Sequence, residues 1–139
     1  MNPSFHLHHM NHWALLVSAL ILWFLGAAWY SPALFVKPWM AALGIRPGGE
    51  KKGLVLGMVS SFIGDLILSF VLLHFILWAD ATTWVRGALI GFIAWLGFIA
   101  APSFPQGIYE NRPFKLFAIN TGYWLVGLLI VGCLLAVWR

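Results

Sequence analysis

The chain has 139 residues, of which 62% are hydrophobic and 9% charged, with a mean hydropathy of +0.90. A soluble globular domain is roughly half apolar and a quarter charged, so this composition excludes a water-soluble monomer, and the single cysteine, Cys133, excludes a disulfide scaffold. The formal charge of +4 does not point to nucleic acid, because the basic residues stand between apolar runs and never alternate with aromatic residues along a groove-forming stretch.

The chain opens with four histidines, His6, His8, His9 and His12. His8 and His12 are four apart and share a face if this stretch is helical. Together with His74 they offer imidazoles suited to zinc or copper. The alternative is a polar interfacial start with His74 hydrogen-bonded inside the bundle.

Apolar stretches then follow at about residues 13–31, 53–78, 87–108 and 116–138, and Asp65 is the only charge well inside any of them. A helix rising about 1.5 Å per residue crosses a hydrocarbon layer of about 30 Å in about 20 residues. The expected fold is therefore all-α, a four-transmembrane-helix bundle with short loops, forming one domain over the whole chain. Trp13, Trp39, Trp78, Trp84 and Trp138 fall at or near the span ends, where an indole suits the headgroup level. Pro32 and Pro38 end the first span, and the residues from Lys37 to Leu43 are expected to lie along the interface as a short helix.

The second span holds a ladder at spacing four: Gly53, Gly57, Ser61, Asp65 and Ser69. Small and hydroxyl residues at that period let a neighbouring backbone approach, so the ladder is expected to be a packing seam, with a proton or solute pathway as the alternative. An ionised carboxylate at the depth of Asp65 costs at least about 2.5 kcal/mol, so it should be protonated, hydrogen-bonded or facing a wet cavity. Every Lys and Arg lies near a helix end. The expected partner is therefore a neutral donor, one of the indoles of Trp23 and Trp95, which fall near mid-membrane.

In the third span, Gly87 and Gly91 repeat the small-residue spacing, while Pro102 and Pro105 leave 87–101 uninterrupted. The span is expected to kink there or to finish as an irregular segment. Glu110, Arg112 and Lys115 precede the fourth span, with Asn120 and Tyr123 deeper. They form either a polar vestibule, joined by Trp29, Tyr30 and Trp39, or an ordinary loop ion pair below a helix-contact residue.

Lys37, Arg46, Lys51, Lys52, Arg112 and Lys115 fall on one side of the membrane, against Arg86 and Arg139 on the other. That asymmetry places both termini on the non-cytoplasmic side. No H-E-x-x-H, P-loop, G-x-S-x-G or paired C-x-x-C is present, and the chain is not expected to be an enzyme or to carry a cofactor.

The run Gly26-Ala27-Ala28-Trp29-Tyr30-Ser31-Pro32, followed by Leu34-Phe35, Lys37 and Trp39, resembles the first-helix signature of the bacterial membrane family catalogued as domain of unknown function 1761. Trp95-Leu96-Gly97-Phe98 is similar to its third-helix motif. Glu110-Asn111-Arg112 leading to Lys115–Tyr123 is similar to the start of its fourth helix. The resemblance spans nearly the whole chain and implies a four-helix inner-membrane protein of unassigned role. The proline-rich 102–105 segment and the histidine-rich start lie outside its pattern.

The expected partners are the lipid bilayer and a second copy or a membrane-complex subunit, with action through helix contacts. A small proton-coupled transporter using Asp65, and an outward-facing metal-binding protein, are the alternatives.

Overall fold

The computed structural model describes residues 10–46, 48 and 53–138. All regular structure among them is helical: α1 (His12–Trp29), α2 (Val36–Leu43), α3 (Leu54–Trp78), α4 (Trp84–Trp95), a π-helical turn (Leu96–Ala100), α5 (Ala101–Tyr109) and α6 (Phe114–Val137). Four helical runs, His12–Trp29, Leu54–Trp78, Trp84–Tyr109 and Phe114–Val137, are long and apolar enough to cross a membrane.

Local chemistry sets the boundaries. The Asn11 side chain accepts hydrogen bonds from the backbone N–H groups of Trp13 and Ala14, satisfying two of the donors that a helix start leaves free. Gly44 ends α2 at φ +69° and Gly53 precedes α3 at φ +81°, a backbone region that L side chains rarely adopt. The short α2 packs on the start of the fourth span, where its Trp39 ring meets Tyr30.

At the centre stands α6, which contacts α1, α3, α4 and α5. Ala14 and Leu22 of α1, Leu72, Leu73 and Ile76 of α3, and Leu128, Val131, Leu135 and Ala136 of α6 form the core. It sits toward the end of the bundle where α3 turns into α4. Every buried residue of α3 lies at or beyond Asp65, and none lies between Leu54 and Gly64. The bundle is thus closed at one end, while at the other the first half of α3 contributes no buried residue.

The tightest contact joins α4 to α6. A methyl group added at Gly87 would fall on the Gly132 carbonyl and within 2.6 Å of the Ala136 methyl, and one at Gly91 would fall on the Leu128 carbonyl. Lipid provides no hydrophobic force between helices, so such close backbone approach, which maximises dispersion contact, is what holds them. The Gly87 and Gly91 spacing is a packing seam, with Gly132 as its counterpart on α6.

At its prolines the third span does not finish as an irregular segment, since it continues as a helix to Tyr109. The π turn explains how. Ala101 donates its N–H to the Leu96 carbonyl five residues back, and the widened turn makes room for the ring of Pro102, which then occupies the first turn of α5, where a missing N–H is tolerated.

Candidate functional site: a buried polar line and an interfacial cleft

Near its start, α6 carries Ile119, Asn120, Thr121 and Tyr123 in one stretch, and aromatic side chains from two other helices converge on it. Trp29 donates its indole N–H to the Ile119 carbonyl (2.9 Å) and Trp95 donates to the Thr121 carbonyl (2.7 Å). The Tyr30 hydroxyl donates to Asn120 Oδ1 (2.8 Å), and the Tyr123 hydroxyl donates in the opposite direction, to the Leu22 carbonyl on α1 (2.9 Å). Indole and phenol suit this task because an apolar ring fills the interhelical space while one polar atom reaches a carbonyl. The rings of Tyr30 and Tyr123 meet edge to face at 5.9 Å, which ties the two hydroxyls into one layer. Burial pushes the Tyr30 phenol above its ordinary value of 10.0, so it remains a donor at neutral pH.

Below this layer, α5 and α6 diverge around a cleft of about 220 Å³, lined among others by Ser103, Gln106, Glu110, Arg112, Asn120 and Thr121. Gln106 donates to Glu110 (2.9 Å), and Glu110 is ion-paired with Arg112. Asn120 spends its carbonyl oxygen on Tyr30, which leaves its amide N–H groups as donors for the cleft. Thr121 returns its hydroxyl to the Phe117 carbonyl (2.7 Å). The cleft thus presents both hydrogen-bond signs at the level of the loops.

Asp65 is 3% exposed. The expected indole partners are engaged elsewhere. Trp23 donates to the Met58 carbonyl (3.0 Å) and Trp95 to Thr121, and each indole has a single N–H to give. The carboxyl instead lies within electrostatic reach of the Tyr123 hydroxyl, which connects it to the Tyr30 and Asn120 layer. Ser69, one turn further along α3, is fully buried, whereas Ser61, one turn back, is exposed. The ladder therefore divides, with Asp65 and Ser69 inside the bundle and Gly53, Gly57 and Ser61 outside it.

Of the three histidines offered as metal ligands, the described residues include His12 and His74. His8 lies outside the described residues and His12 is exposed on α1. His74 is buried and meets the rings of Phe70 and Trp78, with Nδ1 donating to the Phe70 carbonyl (2.7 Å). Among the described residues no three His, Cys, Asp or Glu side chains come together as a metal site.

The comparisons bear on this arrangement as a whole. The model of the family described as "Protein of unknown function (DUF1761)" matches residues 13–136. The chain belongs to that family. No curated protein and no solved structure matches it. The matched range takes in all four long helices, the polar layer and the cleft, and stops short of His8 and His12.

Ser103, Gln106 and Thr121 line the cleft, and no spacing or motif in the sequence marks them as candidates. Gln106 and Ser103 were hidden because only the π turn settles which way α5 faces.

Proposed function

We propose that this protein is a non-enzymatic homo-oligomer of the bacterial inner membrane, acting through helix contacts within the bilayer, with both termini on the non-cytoplasmic side. The observation that carries this reading is the exposed first half of α3. At about 100° per residue, Gly57, Ser60, Ser61 and Gly64 fall within one arc of roughly 60° to 100°, away from the side on which Phe62 meets Trp23 of α1. All four are exposed, and a methyl added at Gly57 or Gly64 meets nothing within 4 Å. Gly57 with Ser61, and Ser60 with Gly64, are overlapping small-residue pairs at the spacing that lets two backbones cross closely; Ser60 already donates to the Gly57 carbonyl (3.0 Å), and the Ser61 hydroxyl gains by bonding across such a crossing. A second copy of α3 fits this face.

In a background with Cys133 replaced by alanine, Gly57→Cys or Gly64→Cys is expected to form a disulfide-linked dimer in native membranes, and Leu89→Cys on exposed α4 is not. The double substitution of Gly57 and Gly64 by leucine should give a monomer in mild detergent with unchanged thermal unfolding. Monomeric parent protein without cross-links would refute the reading. The same background carrying Lys51→Cys should resist an impermeant maleimide in intact cells, and labelling there would reverse the orientation.

A second reading, a small proton-coupled transporter, is favoured by the polar line running from Asp65 through Tyr123, Tyr30 and Asn120 to the cleft. It requires that Asp65→Asn abolish pH-driven flux in proteoliposomes while leaving the dimer intact. Under the first reading there is no flux to lose.

A further inference from the structure

Ser18 and Ser69 are both fully buried, and neither hydroxyl has a hydrogen-bond partner among the described residues. The antiparallel register of α1 and α3 puts them at a similar depth. Trp23 of α1 meets Phe62 of α3. Ser18 stands five residues before Trp23 and Ser69 seven beyond Phe62, so rises of about 1.5 Å per residue leave the two within about 3 Å of one level. One turn away on α3 is the buried Asp65, opposite Leu22.

Three polar side chains thus lie within about one helical turn of each other inside the bundle, and two of them lack partners among the described residues. A helical hydroxyl commonly satisfies itself on the carbonyl four residues back, as Thr121 does on Phe117. Ser18 and Ser69 do not, and each buried hydroxyl left unmade costs about 1–3 kcal/mol. Buried groups of this kind are routinely satisfied by an internal water, which makes about three hydrogen bonds as donor and acceptor together. Two hydroxyls and a carboxyl supply that number.

We propose that Ser18, Ser69 and Asp65 enclose an internal water site between α1 and α3, and that this water makes the Asp65 carboxyl an exchangeable proton-binding group. Among the described residues the groups of α1 and α4 that ionise as cations are His12 and Arg86, both in the first turn of their helices, and on α6 Lys115 lies two turns before Tyr123, whose hydroxyl is within electrostatic reach of the carboxyl. His74 on α3 itself faces away, against the rings of Phe70 and Trp78. The inference does not depend on α3 pairing with a second copy.

Infrared difference spectroscopy of the full chain in lipid nanodiscs tests it. As pH is lowered from about 9 to about 4, a carboxylic C=O stretch is expected to grow in and to shift on transfer to D2O within the mixing time. Asp65→Asn should remove the band. The combination of Ser18→Ala and Ser69→Ala keeps Asp65 but leaves a dry apolar void, so the band should persist at higher frequency and exchange roughly tenfold more slowly. Because that variant retains the carboxyl, it decides the matter even if Asp65→Asn fails to fold. A band that never exchanges, or that exchanges equally fast without the two hydroxyls, overturns the proposal. So does a band lost on adding sodium chloride but not choline chloride, which would make the site a sodium site.

Discussion

Gly87→Leu is expected to eliminate the folded bundle, and Gly87→Ala to destabilise it severely. The atoms a new side chain would meet are the Gly132 carbonyl and the Ala136 methyl, and backbone in a packed helix cannot step aside as a flexible side chain would. Overpacking a close contact typically costs about 1–3 kcal/mol, a large share of a total stability of about 5–15 kcal/mol. In lipid there is no hydrophobic term to restore the contact once the helices separate. Gly132→Ala should behave like Gly87→Ala, because its methyl would strike the Gly87 carbonyl in return. Gly97→Ala is the control, since a methyl there meets nothing within 4 Å. The measurement is monodisperse yield and thermal unfolding in detergent. A Gly87→Leu protein that unfolds at the parent temperature would show that the α4 and α6 backbones do not depend on this approach.

Deleting Phe98 is expected to leave four membrane-spanning helices but to dismantle the cleft. Phe98 lies in the π turn and is 72% exposed, so its removal takes little from the core. It does remove the extra residue that the π turn accommodates. With a regular α-helical turn restored, α5 rotates by about 100° and its side-chain tips move on the order of 8 Å. Ser103 and Gln106 would then turn away from α6. Nitroxide labels at Gln106 and Asn120, both lining the cleft in the parent, should show dipolar broadening that disappears in the deletion variant. Broadening that survives would mean that something other than the π turn aims α5.

The four long apolar helices were legible in the sequence because lipid makes one demand on every spanning segment, and length with hydropathy reads that demand directly. The packing of Gly87 and Gly91 was legible for a similar reason, since small residues at helical spacing have few other uses in a bilayer. The hydrogen-bond partners were not. Trp23 and Trp95 were matched to Asp65 as the one deep acceptor visible in the sequence, yet both indoles donate to backbone carbonyls, which every residue carries and no sequence marks. In the third span Pro102 and Pro105 marked where the regular helix is interrupted, but whether the chain there becomes irregular or carries on was not legible: a single wide turn precedes the first ring and the helix continues. The ladder from Gly53 to Ser69 reads as one stripe, but its regular period conceals that only the upper part faces other helices.

The helix at the centre of the bundle is also the last of the four spans to be synthesised. Until α6 leaves the ribosome and inserts, α4 has no counterpart for Gly87 and Gly91, and Tyr30, Trp29 and Trp95 have no carbonyls to meet. The first three spans must therefore wait side by side in the bilayer as a loose set, joined chiefly where α1 touches α3. Assembly is gated by the emergence of the fourth span, so nascent chains arrested before about residue 114 should be the species that quality-control proteases remove.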